Sequence, residues 1–260
     1  SLACAHAAAD SLGVSFYRYI GGANAHVLPV PMMNILNGGA HAKNNLDIQE
    51  FMIVPKKESF SEGLRCASEV FHSLKTLLDE DMLATSVGDE GGFAPNLKDN
   101  KSALNYIVKS IESAGYIPGK DVFIALDIAA SSLYNKETKK YKIEDKFLNY
   151  EELLDYYLDL LGNYPIISIE DPFDEDDYDG FKLITERLGK EINIVGDDLF
   201  VTNINELKKG VLEHMCNSIL IKPNQIGTFY EMLETVVFAK KNHYTTIMSH
   251  RSGETTDTFI

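Results

Sequence analysis

Val122-Phe123-Ile124-Ala125-Leu126-Asp127 is a continuous apolar run that stops on a carboxylate, and four later runs are built on the same plan. Pro165-Ile166-Ile167-Ser168-Ile169 leads into Glu170, and Ile192-Asn193-Ile194-Val195-Gly196 leads into Asp197. Ser218-Ile219-Leu220-Ile221 delivers Lys222, and Thr246-Ile247-Met248-Ser249 delivers His250 and Arg251. Buried parallel strands read as unbroken apolar runs of this kind, because both faces of such a sheet are covered. The run ends lie 43, 27, 25 and 28 residues apart, about one strand and one returning helix each. That alternation predicts an α/β protein with a (β/α) barrel, whose reactive groups collect on the rim where the strands end.

Working outward, Leu28 to Leu36 and Asp47 to Val54 are strand-like and flank a Gly-rich polar loop, Asn37 to Asn45. Phe60, Leu64, Ala67, Phe71, Leu74 and Leu78 give the stretch Glu58 to Glu80 a helical period. A second helix is expected over Asn100 to Ala114, after the Gly-rich loop Ser86 to Asn96. Beyond Asp127 a Lys-rich excursion at 131–146 reads as a surface hairpin, and Tyr150 to Leu161 as the next helix. Ser1 to Ser11 forms a helix closed by Gly13. Seven strands are counted and barrel closure takes about eight, so one strand is expected beyond Ile260. Both ends are expected to continue into a longer polypeptide.

At 260 residues and 45% hydrophobic the chain is long enough for one barrel-sized core. A net charge of −15 argues against nucleic acid as a partner, since backbone phosphates demand clustered Lys and Arg. It leaves room for a small anion, because a bound cation reverses the local field. Cys4, Cys66 and Cys216 are isolated thiols with no CxxC spacing, as expected of reduced cysteines in a cytoplasmic protein. No stretch has the form of a signal peptide or the length of a membrane span.

Asp127, Glu170 and Asp197 stand on three different strands, so each could give one oxygen to a single Mg²⁺, a hard cation that prefers oxygen ligands. Asp171 and Asp198 follow two of them directly and are read as capping or orienting groups. Lys222 ends an otherwise apolar run, where metal cations nearby and exclusion of water favour its neutral form as a base. Arg251 supplies a bidentate cation and Ser252 a hydroxyl, with His250 beside them, a match for phosphate. Glu90 in Gly88-Asp89-Glu90-Gly91-Gly92 could serve as an acid or as a turn residue, and His41 as a catalytic or a structural loop histidine.

These residues fall within motifs that resemble the enolase family. The stretches are LPVPMMNILNGGAHAKNNLDIQEFMI, SVGDEGGFAPN, ALDIAAS, SIEDPF, IVGDDLFVTN, ILIKPNQIGT and MSHRSGETTDTFI, in family order along essentially the whole chain. The resemblance implies the ββαα(βα)6 variant of the TIM-type barrel over residues 27–260, incomplete at its last strand. Residues 1–26 would be the end of a separate N-terminal α+β domain, otherwise absent together with its lid loop. It implies dehydration of 2-phosphoglycerate to phosphoenolpyruvate with two Mg²⁺ per site, in a cytoplasmic homodimer or larger homo-oligomer. By motif, Asp127, Glu170 and Asp197 match the metal ligands that grip the substrate carboxylate, Lys222 the base and Glu90 the acid. His41, Gln49 and Glu50 match groups around the leaving hydroxyl, and His250, Arg251 and Ser252 the phosphate site. Ser132-Leu133 departs from the Glu-Phe pair usual after ALDxAAS.

Residues 1–260 alone are expected to be nearly inactive, because an open barrel leaves unpaired strand edges. Two other readings remain open from the sequence: a sugar-acid dehydratase of the same superfamily, and a non-catalytic remnant retained for binding another protein.

Overall fold

A computed structural model describes residues 1–250; Arg251 and Ser252 lie outside the described residues. Seven strands form one curled sheet, interrupted in the chain by a small three-stranded one. The strands are β1 Met33–Asn37, β2 Glu50–Pro55, β3 Val122–Asp127, β4 Tyr134–Asn135, β5 Lys140–Ile143, β6 Lys146–Leu148, β7 Ile166–Glu170, β8 Asn193–Gly196, β9 Ser218–Ile221 and β10 Thr245–Met248. The helices are α1 Leu2–Ser11, α2 Phe16–Gly21, α3 Phe60–Glu80, α4 Asn100–Ser113, α5 Tyr150–Asn163, α6 Tyr178–Leu188, α7 Ile204–Glu213, α8 Pro223–Ile226 and α9 Phe229–Lys241.

The large sheet runs β1-β2-β3-β7-β8-β9-β10. Its first pairs, β1 with β2 and β2 with β3, are antiparallel, and every later pair is parallel. This is the ββαα start followed by βα repeats, an incomplete barrel among the described residues, with β1 and β10 at its edges. The first two strands begin later than the apolar pattern suggests. Pro29 and Pro31 lack the N–H a ladder needs, so β1 starts only at Met33. Ahead of β2, the Ile48 N–H is drawn to the Asn100 side chain instead of a neighbouring strand. The Lys-rich excursion is more than a hairpin: β4, β5 and β6 form a three-stranded antiparallel sheet. Helix α2 went unread because six residues beside two glycines carry too short a period.

Side chains alternate across each strand, and this aims the rim groups. Phe51, Ile53, Ile124 and Leu126 join the large core beneath the helices. Met52, Val54 and Ala125 form a second, inner cluster with Met32, Phe123 and Ile167 packed against it. Glu50 has the parity of Met52 and Val54, and Asp127 that of Phe123 and Ala125. Asp127 pairs in register with Glu50 on one side and with Glu170 on the other, where a register shift between Ile124 and Ala125 sets Ser168 beside Ala125 and Glu170 beside Asp127. The three carboxylates therefore stand level at one mouth of the sheet, facing its inside. The helices supply the outer wall: α3 buries Cys66, Ala67, Val70, Leu74 and Leu78, and its start is capped by the Ser59 hydroxyl accepting the Glu62 N–H.

Candidate active site

Two loops meet at this mouth and fix one half of the site. The Asn37 N–H donates to the Phe93 carbonyl, and the Asn37 side-chain oxygen accepts the Gly92 N–H at 2.9 Å. The Asp89 N–H donates to the His41 carbonyl at 3.2 Å. Loop 38–45 and loop 86–96 are thereby joined, bringing His41 and Glu90 to the end of β2, where Glu50 stands. His41 Nδ1 lies 3.5 Å from Glu50, and its Nε2 lies 3.8 Å from Glu90. His250, at the far end of the sheet, reaches over to Glu90 as well. Donor atoms of His41, Glu50 and Glu90 all fall within 4.8 Å of one another.

Close packing of Gly92 holds this arrangement. A Cβ there would come within 2.7 Å of the Leu36 nitrogen and 2.8 Å of the Asn37 side-chain oxygen. Gly92→Ala should cost about 1–3 kcal/mol, as overpacking does, and displace Glu90 as the loop shifts. Urea unfolding would check this; a midpoint equal to wild type would show that the loop accommodates the methyl freely.

The other half is made of strand-end carboxylates. Asp127 accepts hydrogen bonds from the Gln49 amide at 3.0 Å and the Ala129 N–H at 2.9 Å. Burial pushes its carboxyl up to about 8, helped by the Glu50 charge and opposed by those two donors. Burial also raises Glu50 to about 7, with Glu90 adding to the rise and Lys222 opposing it. Glu170 stands well above the carboxylate range through burial and the charges of Asp127 and Asp197. Asp171 is raised by burial and Asp197, although it accepts the N–H groups of Asp197 and Asp198 at 2.9 and 2.8 Å. That pair of bonds fits the orienting role expected of Asp171: it ties the turn after β8.

Asp197 is engaged on both oxygens, one by the Lys222 ammonium and the other by the Gln225 amide at 3.2 Å. Besides the histidine cluster, the donors gathered within 4.8 Å among the described residues are those of Asp171, Asp197 and Asp198. Asp127, Glu170 and Asp197 are not such a set here, although the Asp197 charge raises both Asp127 and Glu170, and Asp127 raises Glu170 as well. Arg251 and Ser252 lie outside the described residues.

The donor set suits a hard divalent cation. Buried carboxyls that raise one another mark a place where negative charge is crowded, and Lys222 alone does not offset it. Oxygen-rich, carboxylate-dense sites of this kind favour Mg²⁺ over softer ions. Sequence reading missed the Thr202–Gln225 pair beneath Lys222; nothing in the composition of IVGDDLFVTN or KPNQIGT distinguishes a linked pair from two loop residues.

Residues 25–260 match the family described as the enolase C-terminal TIM barrel domain. The chain belongs to that family. No helix among the described residues is long and apolar enough to cross a membrane.

Proposed function

We propose that this member of the enolase family interconverts 2-phosphoglycerate and phosphoenolpyruvate in a Mg²⁺-dependent dehydration. The observation that carries the reading is that Glu90, held with Glu50 around His41, and Lys222, held on Asp197, stand at the same strand-end mouth. An acid on one loop and an amine on β9 thus serve the same mouth.

Lys222 is the base: its neutral amine takes the C2 proton and becomes an ammonium. Glu90 is the acid: it gives its proton to the C3 hydroxyl, which leaves as water as the C2–C3 double bond forms. His41, Gln49 and Glu50 surround that hydroxyl and keep bulk water from it, and His250, Arg251 and Ser252 receive the phosphate. Asp127, Glu170 and Asp197 would hold Mg²⁺. When bound, the metal supplies the Lewis acidity that stabilises the second negative charge on the substrate carboxylate, worth several kcal/mol. Base and acid each contribute about 10²–10⁴-fold, so the set is of the size such an elimination needs. The cytoplasmic homodimer or larger ring of the family forms part of the same proposal.

The test is ³¹P NMR of 2-phosphoglycerate with the full-length polypeptide, with and without Mg²⁺, beside a panel of sugar acids. Conversion to phosphoenolpyruvate that stops with EDTA is expected. Turnover of a sugar acid alone would overturn the reading in favour of another dehydratase of the superfamily; no turnover at all would favour the non-catalytic one.

A further inference from the structure

Beneath the rim, a closed ring of polar contacts connects the two ends of Lys222. Thr202, fully buried, follows β8 in a turn where Val201 and Thr202 have φ of 42° and 58°. Two adjacent β-branched residues in the left-handed region are a strained choice, held only where the surroundings dictate it. The Thr202 carbonyl is fixed by the Thr235 hydroxyl at 2.9 Å. The result of the strained turn is that the Thr202 hydroxyl lies against the end of β9. There it accepts the Lys222 N–H at 2.8 Å and reaches the Gln225 side-chain oxygen at 3.1 Å. Gln225 stands on α8, one short turn beyond Lys222, and its amide nitrogen donates to one Asp197 oxygen at 3.2 Å. The other Asp197 oxygen receives the Lys222 ammonium, which completes the ring.

Each link has a defined direction. Thr202 accepts the lysine backbone N–H on a lone pair and turns its one proton toward the Gln225 oxygen at 3.1 Å, nearer than its other acceptor, the Leu220 carbonyl at 3.4 Å. Gln225, with its oxygen so occupied, must present N–H and not oxygen to Asp197. Asp197 is then turned so that its second oxygen meets the Lys222 side chain. A lysine stem has four rotatable bonds, and an amino group held from both its backbone and its tip has few places left to go; a neutral amine keeps N–H groups to donate to Asp197, so the hold does not depend on the charge.

We infer that Gln225, oriented by Thr202, is the positioning residue that sets Lys222 over the substrate carbon. It touches no reacting atom; it acts through Asp197. The inference rests on Lys222 being the base, and it names the device that makes a flexible side chain serve as one. Outer contacts that orient functional side chains typically matter 10–100-fold, which sets the expected size.

The experiment measures exchange of the C2 proton of 2-phosphoglycerate into D₂O, by ¹H NMR, with the full-length protein at saturating Mg²⁺ and substrate. Gln225→Glu keeps the shape and the oxygen but sets a carboxylate against Asp197. Thr202→Val removes the hydroxyl from a residue of nearly equal volume, and Thr202→Ser restores it. Gln225→Glu and Thr202→Val should each slow exchange 10–100-fold, with KM within about threefold of wild type. Thr202→Ser should return most of the rate, and the Mg²⁺ concentration at half-maximal thermal stabilisation should move less than the exchange rate. Exchange within twofold of wild type in both slow candidates would overturn the inference while leaving the function intact. A fall in melting temperature with exchange preserved would reduce the ring to packing, and overturn it too. No exchange in the wild type would remove the base itself, and with it both readings.

Discussion

Lys222→Ala is expected to abolish both dehydration and C2 proton exchange, whereas Glu90→Gln abolishes dehydration and leaves exchange largely in place. The two outcomes follow from the separation of base and acid. Lys222 comes from the end of β9 and pairs with Asp197, while Glu90 comes from the loop that Gly92 seats against Asn37. Removing the amine leaves nothing to accept the C2 proton, and the first step should slow by about 10²–10⁴-fold. Removing the acid leaves Lys222 able to take and return that proton, but the hydroxyl cannot depart. Rates by ¹H NMR for exchange and by ³¹P NMR for product would be compared in the full-length protein. Equal loss of both signals in Glu90→Gln would show that the two groups do not divide the chemistry in this way.

Stability without metal should fall as pH rises, and Mg²⁺ should reverse that trend. Glu50 is raised from an ordinary 4.5 to about 7, and Asp127 from 3.8 to about 8. The folded protein therefore holds these protons more tightly than the unfolded chain does. Their contribution is fully present below about pH 4 and is lost as pH rises through 7 and 8. For Glu50 alone, the rise to about 7 corresponds to about 3 kcal/mol. A divalent cation favours the ionised carboxylates, so in its presence the loss toward pH 8 should shrink or disappear. Urea unfolding at pH 5 and pH 8, in EDTA and in millimolar Mg²⁺, measures both effects. Equal midpoints at the two pH values in EDTA would mean that the carboxylates are not crowded as described.

The repeating half of the fold was legible because its physics is local. A strand buried on both faces must be apolar throughout, so β3, β7, β8 and β9 appear as runs whose last residues are the rim groups. The same property hid the first strand's limit, since Leu28 to Met32 is as apolar as β1 but carries two prolines. The rim residues were legible by type and place: Asp127, Glu170, Asp197 and Lys222 all stand where the runs end. Their mutual arrangement was not. That Asp197 turns toward Lys222 and Gln225, and shares its surroundings with Asp171 and Asp198, depends on loops packed from residues far apart in sequence. The His41–Glu50–Glu90 cluster is of the same kind, assembled by an asparagine side chain joining two loops more than fifty residues apart.

The most direct test of the central claim is a crystal structure of the full-length protein with Mg²⁺ and phosphoenolpyruvate. The account predicts metal on Asp127, Glu170 and Asp197, with the ligand's C2 toward Lys222 and its C3 toward Glu90. Metal held instead by Asp171, Asp197 and Asp198, or a ligand bound away from the mouth between Lys222 and Glu90, would contradict it.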